Sequence, residues 1–517
     1  MQVIRFSGLV LFLISLGIFL GMFFMSGYTL TGEIVREHVK PEHQEVLSPE
    51  LSEIYGKTFE LSIPFVNHIN GTIDRYNKEQ EAQQKWDQRI FDDYASILIR
   101  ASASGSIIQN PGLFFFLTFI LGTIGSLMFI LPQAKLQGPP GIKNNGIFHN
   151  ALNNRGWIGI LIGALLIMFY ILLYFFPAYI TNWIIMMDPV KQIFIPSAQA
   201  SQWFLYGFIY CFAVLVMGVR KIIKYSHSRY KILQTLSVTF FQLALAFIIP
   251  EILMALNQPY FDFKNIWPLD YDFFYDSQLN TLLSSGTIGI FMLIWGIMLI
   301  VIGVPVMTFF FGKRWYCSWV CGCGALAETA GDPFRQLSDK SLKAWKIERW
   351  LVHGVLVFAI IMTGGVLYTY FTGSYSLFGL DTYSTLQKPY GFFIGSIFSG
   401  VIGTGFYPLM GNRVWCRFGC PLAAYLGLVQ RFKSKFRITT NGGQCISCGN
   451  CSTYCEMGID VRWYAQRGQN IIRSSCVGCG VCAAVCPRGV LKLENVEEEG
   501  RFGKALLTGN DSFKVQS

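Results

Sequence analysis

Fourteen cysteines occur in the 517 residues, and thirteen of them lie between Cys317 and Cys486. Two runs, CISCGNCSTYC from Cys445 and CVGCGVCAAVCP from Cys476, repeat the spacing C-x2-C-x2-C-x3-C. Thiolates are soft donors that suit iron–sulfur clusters, and this spacing lets a compact loop wrap a cubic [4Fe–4S] cluster. Gly449 and Gly480 leave room for backbone amides to approach the sulfides. In two-cluster proteins the fourth cysteine of each run ligates the other cluster. The expected sets are therefore Cys445, Cys448, Cys451 and Cys486 for one cluster, and Cys476, Cys479, Cys482 and Cys455 for the other. Four cysteines also suit zinc. Zinc ribbons, however, pair two C-x2-C halves across a longer gap, and two consecutive four-cysteine runs ending in Pro487 favour two clusters. The first run departs from the pattern in one place, with Glu456 where the second has proline.

A second repeat precedes this pair. Arg314-Trp315-Tyr316-Cys317 with Cys321 is matched by Arg413-Val414-Trp415-Cys416 with Cys420-Pro421, each R-x-[YW]-C-x3-C. An i, i+4 pair shares one side of a helix, so Cys317, Cys321, Cys416 and Cys420 could present four thiolates to one another as a redox or metal site, holding a further metal or iron–sulfur centre. The alternative is buried structural cysteine, which packs well in apolar surroundings. Disulfides do not persist in a reducing cytoplasm. Cys323 is an extra thiol without a counterpart in the second copy, and Cys211 reads as a core residue. No haem is expected, because only His353 lies on an apolar run and haem between helices takes histidine ligands. No NAD site is expected either: Gly322, Gly324 and Ala327 loosely fit a dinucleotide fingerprint but follow a membrane run, not a βαβ strand.

The elements that must position these cysteines are apolar. The chain is 52% hydrophobic and 14% charged, against roughly 25% charged in a soluble domain. Eight runs approach the roughly 20 residues that cross a bilayer, near 7–27, 112–131, 157–177, 202–219, 234–254, 285–311, 351–371 and 391–409. The fold class expected is an α-helical polytopic membrane protein of about eight transmembrane helices, with a C-terminal two-cluster ferredoxin-like α+β domain. Its parts are an anchor helix 1–27, an extracytoplasmic helical segment 28–110, a polytopic domain 111–437 with the C-x3-C repeats, the ferredoxin-like domain 438–500 and a tail 501–517. Short strands at Phe436 to Thr440 and Val490 to Leu493 should flank the cluster motifs. Within 28–110, Trp86, Ile90, Tyr94 and Ile97 recur at helical spacing and predict an amphipathic helix. Lys135, Lys143, Lys221, Lys231, Arg335 and neighbouring bases crowd alternate loops. By the positive-inside rule both termini and all cysteine clusters face the cytoplasm, in a bacterial inner membrane. The net charge of +10 is then a membrane-surface feature, with no nucleic-acid partner expected.

The paired motifs WYCSWVC and VWCRFGCPL after apolar runs, followed by the two-cluster domain, resemble the NapH/NosR type of membrane-bound ferredoxin-like protein over roughly 285–500. The CcoG type, associated with copper reduction during oxidase assembly, is a more distant likeness. The resemblance implies respiratory electron transfer between the quinone pool and a redox partner protein, with Trp315, Trp319, Trp415 and Arg417 as candidate lining of a quinone pocket. The alternative it implies is an assembly or maturation factor that reduces a metal or a thiol. The chain departs from the type at Cys321-Gly322, where the family has Cys-Pro, and segment 28–110 does not look like the flavin domain of the NosR branch.

Overall fold

The computed structural model describes residues 2–25, 27–85, 88–137, 155–374, 376–377 and 379–496; Lys143, Trp86 and the tail 501–517 lie outside them. Among the described residues seven helices are long and apolar enough to cross a membrane: Gln2–Phe24, Pro111–Pro132, Trp157–Phe175, Gln202–Lys224, Arg229–Ala255, Gly286–Phe311 and Leu342–Thr372. The chain is a multi-pass membrane protein. The eighth expected run is not among these seven. Its core, Tyr390–Ile402, is a stretch of wide i→i+5 turns interrupted by Gly391, Gly395 and Gly400, residues that weaken regular helix.

The chain divides into two compact units, Met1–Gln133 with Ile171–Ile209, and Ala134–Tyr170 with Tyr210–Ser517. In the first unit, residues 27–104 form a small α+β fold. A three-stranded antiparallel sheet, in the order Thr58–Phe59, Gly27–Thr29, Ala103–Ser104, packs with helices Pro41–Leu51, Ser62–Ala82 and Tyr94–Ser102 on a core of Tyr28, Phe65, Val66, Leu98 and Ile99. The amphipathic helix predicted over 86–97 is not the one observed. Ile90 precedes the helix, Asp93 caps it through its side chain, and Ile97 faces outward, 41% exposed, while Leu98 and Ile99 are buried. The period read from four residues crossed a helix start and mistook its phase.

Small residues set the contact between the first two spans. A Cβ on Gly125 would lie 2.6 Å from the Phe12 amide nitrogen, and one on Gly8 would lie 2.7 Å from the Met128 Cβ. Ser15 Oγ donates to the Leu117 carbonyl at 2.9 Å. Without a hydrophobic drive between helices in lipid, such close approach is what holds them.

In the second unit the strands Phe436–Thr440 and Leu491–Asn495 pair antiparallel, Phe436 opposite Asn495 and Thr440 opposite Leu491. They close a small domain around both four-cysteine runs, near the positions predicted.

Gly125→Val should lower stability by about 1–3 kcal/mol through overpacking. Gly17→Val, whose Cβ enters open space, should be neutral. Thermal melts of the two variants in one detergent compare them directly.

Candidate iron-sulfur centres

The two C-x3-C repeats fold alike, and not as i, i+4 pairs on a helix face. In each, the first cysteine sits in one short helical turn, Arg314–Cys317 in the first copy and the wider Trp415–Gly419 in the second. The amide of the second then bonds five residues back, Cys321 to the Tyr316 carbonyl at 2.8 Å and Cys420 to the Trp415 carbonyl at 2.9 Å. The second cysteine is the N-cap of the next helix, Gly322–Glu328 in one copy and Pro421–Lys433 in the other. Cys420 Sγ accepts from the Ala423 amide at 3.4 Å, whereas Cys321 makes no such cap bond. Gly324 has no room for a side chain, since a Cβ there would meet the Cys317 carbonyl at 2.1 Å.

Cys317, Cys321, Cys416 and Cys420 are all buried in one core. Burial, relieved in part by Lys313, pushes the Cys317 thiol up to about 12. Burial and the three neighbouring thiols push Cys420 well above the usual thiol range. Cys321 moves the other way, downward, through its coupling to the neighbouring Cys323 thiol and the nearby Lys264 and Arg413. Arg413 also donates from Nη1 to the Cys317 carbonyl at 3.1 Å and to Cys416 Sγ at 3.6 Å. Four buried sulfurs surrounded by cations are a donor set suited to a metal held as its thiolate complex, which replaces the protons that burial would otherwise retain.

The first hairpin turns back among the spanning helices. Gln234, Ser237 and Gln242 donate to the carbonyls of Ser318, Trp319 and Val320 at 3.1, 3.0 and 2.7 Å. Tyr210 donates to the Gly322 carbonyl at 2.7 Å. Tyr210 and Gln242 each lie eleven residues along their helices from Lys221 and Lys231, about 16 Å at 1.5 Å per residue. Non-helical backbone among spanning helices is tolerated only when its polar groups are met by protein, and these four side chains meet them. Loop 257–275 reaches the same core from the other ends of its helices: Ile266 is buried in it, and Leu269 packs against it.

The eight cysteines of the C-terminal runs fall into two groups. Cys445, Cys448, Cys451 and Cys486 line one recess of about 350 Å³. Cys482 is pushed well above the thiol range by burial and by Cys479, Cys476 and Cys455 around it. The runs share a backbone path, with Ser447 and Gly478 at φ 58° and 60°, and Gly449 and Gly480 at φ 81° and 77°. At Gly478 a Cβ would strike the Arg314 Cβ at 2.6 Å, so the second run seats directly on the first C-x3-C repeat. Carbonyls of that run are held by the membrane part: Val477 by Ser318 Oγ at 2.7 Å, Gly478 by Tyr230 Oη at 2.8 Å and Cys479 by Lys231 Nζ at 2.9 Å.

A buried ionic network lies behind these contacts, and the sequence reading missed it. Glu328 accepts from Lys221 (2.7 Å), Lys231 (2.9 Å), Arg335 (2.6 Å) and Arg413 (3.1 Å). Glu456 meets Arg335 at 2.5 Å and Arg413 at 3.0 Å, and accepts from Asn412 at 3.1 Å. Asp332 meets Arg335, Lys224 and Arg220 at 2.7, 2.6 and 3.3 Å. Burial alone would raise the carboxyls of Glu328 and Asp332, but the adjoining cations outweigh it and hold both well below the carboxylate range. Glu328, Glu456 and Cys479 bring ligand-capable atoms within 4.8 Å of one another, but the guanidinium and ammonium groups already occupy both carboxylates and leave no role for a cation. Of the proposed quinone-pocket residues, Trp315 bonds Thr308, Trp319 bonds Tyr230, and Arg417 pairs with Glu348. The fourth, Trp415, has its indole nitrogen buried without a hydrogen-bond partner among the described residues.

A family model for a 4Fe-4S binding domain matches residues 293–341 and again 390–439, once on each C-x3-C repeat. A second, for a 4Fe-4S dicluster domain, matches 443–491. The class is therefore a polytopic membrane protein with ferredoxin-type 4Fe–4S domains. Among relatives, the chain is similar to YccM of Escherichia coli (strain K12), assigned by name to electron transport, with 28% identity over 169 residues, 29% of this chain and 43% of that protein. It is also similar to the methylamine utilization ferredoxin-type protein MauN of Paracoccus denitrificans (strain Pd 1222), 29% identical over 157 residues, 28% of this chain and 48% of that one. A second MauN, of Methylobacillus flagellatus, is 28% identical over 149 residues, 28% of this chain and 50% of that protein. The chain spans about half the length, or less, of these curated relatives. No solved structure matches it.

Arg413→Gln strips one partner from each of two buried carboxylates and should cost about 3–5 kcal/mol, read as a lower midpoint in detergent-resistance melts. The depressed carboxylates contribute stability that is full above their unfolded value of about 4 and is lost as pH falls below it. Asp332→Asn should therefore flatten the acid limb of a stability–pH curve as well as lower its neutral plateau.

Proposed function

We propose that this chain is a membrane-bound electron-transfer protein of the NapH/NosR type, with its termini and clusters on the cytoplasmic side of a bacterial inner membrane. Two [4Fe–4S] clusters would be held by Cys445, Cys448, Cys451 and Cys486, and by Cys476, Cys479, Cys482 and Cys455. A third iron–sulfur centre would be held by Cys317, Cys321, Cys416 and Cys420. When bound, such clusters supply one-electron carriage at potentials set by charge, hydrogen bonding and exposure. The observation that carries the reading is that cysteines of the two C-x3-C repeats and of the ferredoxin runs belong to one continuous buried core. A relay across that core would join a donor in the membrane, such as the quinone pool, to a soluble redox partner. The residues do the rest. Lys313 stands close enough to act electrostatically on both Cys317 and Cys476 and would favour added negative charge at either site, while the packed hairpins exclude water.

A second reading, an assembly or maturation factor reducing copper or a thiol, is favoured by one feature: Cys323 adds a thiol electrostatically coupled to Cys321 that a purely structural four-thiol site does not need.

Anaerobically purified protein should carry about twelve iron atoms per chain if the C-x3-C site holds a cubane, and about eight if it does not. In an EPR titration with a quinol analogue, the ferredoxin-type signals should grow in wild type. In Cys416→Ser they should fail to grow although dithionite still develops them. Signals that ignore quinol in wild type would sink direct quinol oxidation and move the maturation reading ahead.

A further inference from the structure

Beside the second C-x3-C repeat lies a cavity of about 1170 Å³ whose lining includes Lys313, Arg349, His353, Arg431 and Arg473. The one carboxylate on its wall, Glu348, is already bonded to Arg417 at 2.7 Å. Lys313 is only 2% exposed. Among the described residues neither its ammonium nor the guanidiniums of Arg349, Arg431 and Arg473 meets a carboxylate, and Lys313 enters the hydrogen-bond network through its backbone amide, which donates to Gln430 at 2.7 Å. Two of the guanidiniums are held in place by one ring: Arg349 and Arg473 stand over Trp345 at 5.7 and 5.4 Å. A buried ammonium without a counter-charge costs free energy, and preset cations converging on a cavity are what an anion needs.

We propose that this cavity binds a phosphate-bearing anion, with the headgroup of an acidic phospholipid as the source its setting favours. Arg349 and Trp345 belong to the first turns of helix Leu342–Thr372. Trp350 on the same turns is 74% exposed, the pattern of a side chain anchored at headgroup level. Basic pockets between helices at that level suit phospholipid headgroups. The same helix also presents an open groove with Trp350, Leu351, Val355 and Phe358 on its wall, an apolar bed of the kind an acyl chain would take. The proposal does not depend on the iron–sulfur reading.

The test is native mass spectrometry of the full-length protein released from nanodiscs of phosphatidylcholine mixed with phosphatidylglycerol. Wild type should retain one phosphatidylglycerol. Arg431→Gln with Arg473→Gln should lower that retention by at least about tenfold. Lys343→Gln with Lys492→Gln, which removes equal charge at exposed positions outside both this cavity and the groove, should not. Arg431→Gln alone, an exposed position, should give an intermediate loss with an unchanged melt and so separates binding from misfolding. Displacement of the lipid by millimolar inorganic phosphate would make free phosphate an equal source and keep the site. Equal retention of both lipids, an unchanged double variant, or an equal loss in the lysine control would each overturn the proposal.

Discussion

Glu328 is where the parts of the second unit meet. Its two oxygens take Lys221 from one spanning helix, Lys231 from the next, Arg335 from the loop that follows it and Arg413 from the second repeat. Arg335 and Arg413 then continue to Glu456, which stands immediately after a cysteine of the ferredoxin-like domain. Taking such charges out of water costs several kcal/mol per ion. That cost is offset by the close opposite charges each ion meets, so the arrangement ties two helices, two repeats and one domain together. Three carboxylates face six cations in this cluster, Arg220, Lys221, Lys224, Lys231, Arg335 and Arg413. The surplus of positive charge lies against the cysteine loops, where thiolate complexes would supply the missing negative charge.

This changes the meaning of the basic loops. Arg220, Lys221, Lys224, Lys231 and Arg335 count toward orientation in a sequence, where each is a charge near a helix end. In the fold they are ligands of Glu328 and Asp332. Their number reflects the demand of a buried polar core as much as any attraction to one face of a membrane, so the count alone carries less topological information than it promises.

What could be read from the sequence follows the range of the interactions. The four-cysteine runs were legible because a cluster imposes its spacing on neighbouring residues. The spans were legible because apolar length is a local quantity, and the strand Phe436–Thr440 because alternation is too. Glu456 was visible only as a departure from proline. Its partners Arg335 and Asn412 lie 121 and 44 residues away in the chain, and no local pattern announces them. A better signal was present in the polar residues of apolar runs. Tyr210, Gln234 and Gln242 sit on spanning helices, where an amide or phenol must find a partner, and all three serve the first hairpin. The predicted helix at 86–97 failed for the opposite reason: four residues suggested a period, but the chain breaks between Ile90 and Tyr94.

The departure at Cys321-Gly322 has a cause in the same hairpin. Gly322 and Pro421 occupy equivalent places, the first position of the helix that each second cysteine caps. Proline is favoured there because its missing N–H has no intrahelical acceptor to lose, so nothing in the local backbone excludes proline from the first copy. The surroundings do. A Cβ on Gly322 would already lie 3.3 Å from both Gln242 Oε1 and Tyr210 Oη, and a pyrrolidine ring would press further. The same two side chains donate, through Gln242 Nε2 and Tyr210 Oη, to the carbonyls of Val320 and Gly322. A proline would displace the side chains that satisfy the hairpin's backbone among the spanning helices.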